Sequence, residues 1–181
     1  MKSGPMKVIN LISIQILSWT LLLGQNPDNI KEWRIYKNPF YELKYLNTWE
    51  VELNKPFEDF VAYLRPSAPG LPMRETVVMS TIPITDQPVY NLDSYQRIKE
   101  QEIQNQIFRA EILESRIIKI KGVSTHIIVY KGEKDGLRLK WKEWTWLKDQ
   151  KLFHLVFTAQ ESTFDSFIRS VEVLQGSIKF K

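Results

Sequence analysis

The 181-residue sequence contains no cysteine. That excludes disulfides, thiolate metal centres and cysteine nucleophiles, and it leaves no cysteine to carry a bacterial lipid anchor. Histidine is almost as scarce, with two residues, His126 and His154. A histidine-based metal site would need both to meet. Glycine is sparse too, at seven residues, and no glycine-rich phosphate loop, HExxH or G-x-S-x-G motif occurs. After the charge-free run Val8–Gly24, no second apolar stretch is long enough to span a bilayer. Charge of one sign is also lacking. Lys2 and Lys7 precede that run, and beyond it 23 basic residues face 21 acidic ones. Such a balance gives no bulk electrostatic reason to bind nucleic acid.

What is present suits one folded domain behind a targeting segment. The chain is 43% hydrophobic, with six Trp, seven Tyr and nine Phe, enough to fill a core. Lys2 and Lys7, the apolar run and the polar exit Gln25–Asn26–Pro27–Asp28 are the three parts of a secretory signal. Cleavage after Gly24 would put Leu22 where a small residue is usual. The alternative is an uncleaved anchor, about 25 Å long at roughly 1.5 Å per residue, associating with a membrane through residues 8–24. Residues 1–24 therefore read as a signal peptide or N-terminal anchor, 25–34 as a linker and 35–181 as a single domain. The expected location is extracytoplasmic, periplasmic or secreted, or held at a membrane if the N-terminus stays attached.

Within the domain, Phe40–Leu53, Phe60–Leu64 and Thr76–Ile82 read as strands, with the loop Pro66–Pro72 between the last two. Asn91–Ile107 reads as a helix capped by Asn91 or Asp93, Asp93 having capping-box spacing to Gln96. Its apolar stripe is Leu92, Tyr95, Ile98, Ile103 and Ile107, with Arg97, Glu100, Gln101 and Gln104 facing out. Strands follow at Ile112–Ile120, Val123–Tyr130, Leu137–Leu147 and Leu152–Ala159, the turns being Gly132–Gly136 and Lys148–Lys151. A last helix begins at Ser162 and ends at Gly176, with Phe164, Phe167, Ile168, Val171 and Leu174 inward.

Pairing Leu147 with Leu152 sets Trp146 against Phe153, Trp144 against Leu155 and Lys142 against Phe157. The other face then pairs Thr145 with His154 and Glu143 with Val156. Both faces carry apolar residues, so helices are expected on each side of an antiparallel sheet. Trp49, Trp144 and Phe157 read as core. Pairing Lys131 with Leu137 would put His126 on the aromatic face opposite Lys142, and His154 on the other, which separates the two imidazoles. A one-residue slip would reverse this. His154 with Glu143, Thr145 and Thr125 is a candidate acid–base cluster or a structural hydrogen-bond cluster. Arg138, Lys140 and Lys142 interleave with Trp141, Trp144 and Trp146. The tryptophans read as core packing, and the three cations, reaching water along buried stems, as a possible binding rim.

Three segments carry a family resemblance: Tyr41–Trp49, Lys121–Gly122 with the strand to Tyr130, and Lys151–Ala159 followed by Ser162–Phe180 with its Ser177-Ile-Lys-Phe180 ending. In order and character they resemble the PsbP-like family, that of the extrinsic P protein of photosystem II. That family also has bacterial envelope members and a eukaryotic relative that binds the Ran GTPase. The resemblance implies an α+β fold, an α/β/α sandwich with a central antiparallel sheet of about six strands flanked by helices. It also implies docking or scaffolding on an envelope protein partner rather than catalysis, with no cofactor or metal. Two alternatives stay open: a small-ligand or lipid binder with a pocket between sheet and helix, and, ranked last, a hydrolase centred on Glu143 and His154.

Overall fold

The computed structural model describes residues 32–70, 72–84 and 91–181. Residues 1–24 and most of the expected linker lie outside the described residues. Four consecutive strands, β6 (Phe108–Ile120), β7 (Val123–Lys134), β8 (Leu137–Lys148) and β9 (Lys151–Gln160), form an antiparallel meander. Each connection is two residues long with both φ angles positive: Lys121–Gly122 at 50° and 82°, Asp135–Gly136 at 52° and 76°, Asp149–Gln150 at 50° and 56°. That left-handed pair is the tight turn whose twist matches right-twisted strands.

β5 (Thr76–Pro83), β4 (Glu58–Tyr63) and β3 (Glu50–Lys55) extend the sheet beyond β9, giving the order β3-β4-β5-β9-β8-β7-β6. β1 (Trp33–Lys37), β2 (Tyr41–Leu46) and β10 (Lys179–Phe180) make a separate three-stranded sheet ordered β1-β2-β10. The fold is thus α+β, but the central sheet has seven strands rather than about six, and a second sheet joins it. The stretch Phe40–Leu53, expected as one strand, breaks where the Trp49 N–H donates to the Leu46 carbonyl at 3.0 Å. Its halves enter different sheets. β1 starts at Trp33, inside the segment read as linker.

Helices lie on both faces. α1 (Leu92–Gln106) is capped by Asn91, whose side chain accepts from the Ser94 N–H at 2.8 Å, so the capping box uses Ser94 rather than Gln96. It seats Ile103 on Ile128 and Tyr130, and Tyr95 on Leu152. α2 (Phe164–Ser177) lies on the opposite face, with Phe164 against Phe157 at 4.9 Å and with Val171 and Leu174 fully buried. Thr163, not Ser162, precedes it, and the Thr163 hydroxyl donates to Glu75 at 2.6 Å instead of capping the helix. The small sheet shares that face, with Tyr41 edge-on to Phe153 and Phe180 packed on Trp146 and Phe153. Trp49, Trp144 and Phe157 are all buried there. Burying side chains of this size contributes about 1.5–3 kcal/mol each.

Candidate functional site

Beneath α1 the sheet carries a cluster of polar side chains rather than a purely apolar floor. The β8–β9 register is the expected one, with Thr145 opposite His154 and Glu143 opposite Val156. The β7–β8 register is not. Asp135–Gly136 alone makes the turn, Lys134 pairs with Leu137, and Gly132 lies inside β7 opposite Leu139. His126 therefore stands opposite Thr145, on the same face as His154. The expected separation of the two histidines is overturned, and Thr125 is the residue on the far face. Tyr95 of α1 sits edge-on to both imidazoles, 5.8 Å from His126 and 6.4 Å from His154.

Glu143 is the anchor of one half of the cluster. Its carboxylate accepts from the Tyr130 hydroxyl at 2.6 Å, meets His154 Nε2 at 2.7 Å and pairs with Lys99 Nζ at 3.1 Å. Burial by itself would raise the Glu143 pKa. The neighbouring His154 and Lys99 charges and the His154 and Tyr130 hydrogen bonds outweigh it, taking the group down to about 2. Burial, followed by the facing Glu143 charge, drives the Tyr130 phenol well above its ordinary range. Tyr130 is held flat against Trp141, with ring centroids 4.9 Å apart.

Ser115 is the centre of the other half. It lies 3.1 Å from His126 Nε2, the spacing of a nucleophile and its base. The protons run the wrong way for that role. Ser115 Oγ donates to Glu100 Oε1 at 2.5 Å and accepts from Gln96 Nε2 at 3.1 Å. With the hydroxyl proton given to Glu100, His126 Nε2–H must donate to Ser115, which leaves Nδ1 as the lone-pair nitrogen. That Nδ1 is buried with no hydrogen-bond partner, so no carboxylate orients the imidazole as a catalytic base requires. Burial holds His126 below the usual imidazole pKa, partly opposed by Glu100. Glu100, expected to face outward, is thus turned toward β6.

Arg138, Lys140 and Lys142 share the opposite face of β8. Each meets an acid: Arg138 with Glu161 at 3.4 Å, Lys140 with Asp165 at 3.6 Å and Lys142 with Glu172 at 2.8 Å. Lys140 also lies over the Phe164 ring and Lys142 over Trp144. Asp165 and Glu172 are two turns apart on α2, so laying that helix along the β8 cations would have revealed the pairing from sequence. A surface cleft of about 470 Å³ beside Arg138 is lined by Arg109, Lys131, Glu111, Glu133 and Glu161, and its charges pair with one another. Among the described residues no three His, Asp or Glu side chains converge as a metal site would need, and no helix is long and apolar enough to cross a membrane.

Missed entirely in the sequence was Phe57. It occupies the tip of the β3–β4 hairpin at φ 67° and is 94% exposed, and Leu53 of the same hairpin is also exposed. The signal was there: Pro56 precedes it in a two-residue turn whose second position demands a positive φ, ordinarily filled by Gly or Asn.

No family model matches the sequence, and no curated protein matches it. Solved structures do match. The solution structure of cyanobacterial PsbP from Synechocystis is 16% identical, covering 89% of this chain and 99% of that one, with a TM-score of 0.57. LpqN of Mycobacterium tuberculosis, described as involved in cell envelope biogenesis, is 11% identical over 85% of this chain and 93% of its own, with a TM-score of 0.60. The Ran-binding protein Mog1p of Saccharomyces cerevisiae is 7% identical over 83% and 96%, at 0.56. This chain has a PsbP-like fold.

Proposed function

We propose that the chain is a non-catalytic, exported envelope protein of the PsbP-like family that docks on a partner protein. The reading of residues 1–24 as an export signal supports the location, and the three sequence segments with the shared fold support the family. The docking role rests on Phe57. A non-glycine residue at positive φ costs of order 1 kcal/mol, and an aromatic ring in water gains nothing to offset it. A partner that buries the ring would. The charges beside the tip are already engaged, Lys55 with Glu52 and Asp59 with Tyr41 and Thr81, so the exposed ring itself, entering an apolar pocket of a protein partner, is what this surface offers. The proton inventory at Ser115 and His126 supports the non-catalytic half of the reading, because the serine has no proton left for the histidine to take.

A photo-crosslinking residue at position 57, compared with one at Val173 on the exposed side of α2, tests this in intact cells. A discrete adduct specific to position 57 is expected, lost when Leu53→Asp is added. Equal labelling at both positions, or none, would remove the docking surface from the hairpin.

A further inference from the structure

β6 is the last strand of the seven-stranded sheet, thirteen residues long, and among the described residues nothing pairs with its outer edge. A free edge of that length offers backbone donors and acceptors to any extended chain, and proteins usually blunt it with charge and bulges. Both are present here. The pairing with β7 shifts between Phe108 and Glu111 and again between Ile112 and Glu114. The arrangement of charge is unusual, however, because an acid and a base flank Ser115 symmetrically. Glu111, Glu114 and Arg116 lie opposite Lys131, Val129 and Ile127 of β7, so all three share one face. Arg116 is exposed, and its contact with Glu114 is a local one at 2.5 Å.

We propose that a second copy of the chain pairs antiparallel along β6, with Ser115 opposite Ser115 on the two-fold axis, joining the two seven-stranded sheets edge to edge. In this register Glu114 of each copy faces Arg116 of the other. The bulge at Leu113 then sets Ile112 against Ile117, which lie on one face because their β7 partners are Tyr130 and His126. It also brings Glu111 diagonal to the same arginine, so each Arg116 meets two acids. Centring on Arg116 would oppose two arginines, and centring on Ile117 would put Arg116 against Ile118. Charge therefore selects the Ser115-centred register, and the residues that repel a foreign strand complement a copy of their own. The contact is isologous, as a two-fold dimer requires. It is independent of the Phe57 surface.

The test is sedimentation of the full chain across a wide concentration range. Wild type is expected to move toward twice the monomer mass as concentration rises. Glu114→Arg and Arg116→Glu each place like charges across the axis, so each alone is expected to stay monomeric. Their equimolar mixture restores both pairs and is expected to associate like wild type, while circular dichroism confirms that each variant is folded. A wild type that stays monomeric throughout overturns the proposal. So does association unaffected by either variant, the result that self-association through the apolar N-terminal run would give. Should one variant not fold, Glu114→Gln with Arg116→Gln, which removes the pairs without reversing charge, is expected to weaken association, and undiminished association overturns the proposal.

Discussion

Glu143 and His154 meet at 2.7 Å beneath α1, and the Lys99 ammonium joins the same carboxylate oxygen. The contact ties β8, β9 and α1 together, with Tyr130 of β7 as a fourth member. Removing the carboxylate would leave Lys99 and Tyr130 without their acceptor in a buried place. Glu143→Leu is expected to destabilise the domain by about 3–5 kcal/mol, as breaking a buried pair does. Chemical denaturation with matched slopes would check it. His154→Gln keeps a hydrogen-bonding group at the rim of the cluster. It is expected to complement a deletion strain at matched protein level, and failure to do so with normal folding and export would count for the hydrolase reading.

Acid should weaken the fold in two stages. His126 is held below its ordinary 6.5 chiefly by burial, and Glu143 is taken from 4.5 to about 2. In both cases the unfolded chain takes up the proton first, so each contribution is complete above the unfolded pKa and is lost as pH falls through the folded one. Stability is expected to be flat above about pH 7, to decline first below 6.5 through His126, and to decline more steeply from about 4.5 toward 2 through Glu143. His126→Gln should abolish the first decline and leave the second. Denaturation midpoints measured across that range, for wild type and variant, separate the two limbs.

How much of this was legible in the sequence depended on turns. The Leu147–Leu152 pairing placed Glu143, Thr145 and His154 on one face because Lys148–Lys151 closes tightly whichever residues bend. His126 was misplaced because the span Gly132–Gly136 looks like one glycine-bounded loop. Asp135–Gly136 is the stronger signal, since an Asp-Gly pair fits a turn with two positive φ angles. A three-residue error there carried His126 across the sheet. Lys99 and Glu100 were out of reach, because they join the cluster only through the docking of α1, which no local pattern encodes. Ser115 was within reach, since closing β6 and β7 at Lys121–Gly122 pairs Ile117 with His126 and leaves Ser115 diagonal to it on the same face.

Gly132 is explained by that same register. It passes the junction of α1 and β6 so closely that an added Cβ would collide with Ile107 Cγ2 and press on the Phe108 carbonyl oxygen. A side-chain methyl can shift, but the carbonyl belongs to the strand pairing with β7. Gly132→Ala is expected to cost about 1–3 kcal/mol, the range for overpacking, and to loosen the end of α1. Thermal melting together with amide exchange at Gln104–Ile107 would register both effects. An unchanged melt would mean that β6 bends away at this point.

The cations Arg138, Lys140 and Lys142 decide between a binding rim and a fastening for α2. All three run along one face of β8 toward acids at Glu161, Asp165 and Glu172. An anionic ligand would have to displace these partners, so the site is already neutral before anything arrives. Exposed pairs of this kind contribute about 0–1 kcal/mol each. Lys142 is the best placed of them, at 2.8 Å from Glu172 and over the Trp144 ring. Lys142→Ala is therefore expected to cost up to about 1 kcal/mol, less in high salt, and Arg138→Ala close to nothing. Glu172→Gln should match most of the Lys142 effect if the pair is what matters, and the double variant should cost less than the sum. Binding to vesicles of anionic lipid should be equally weak for wild type and for the Arg138→Ala/Lys140→Ala/Lys142→Ala triple variant. Vesicle binding by wild type that the triple variant loses would restore the rim as a site.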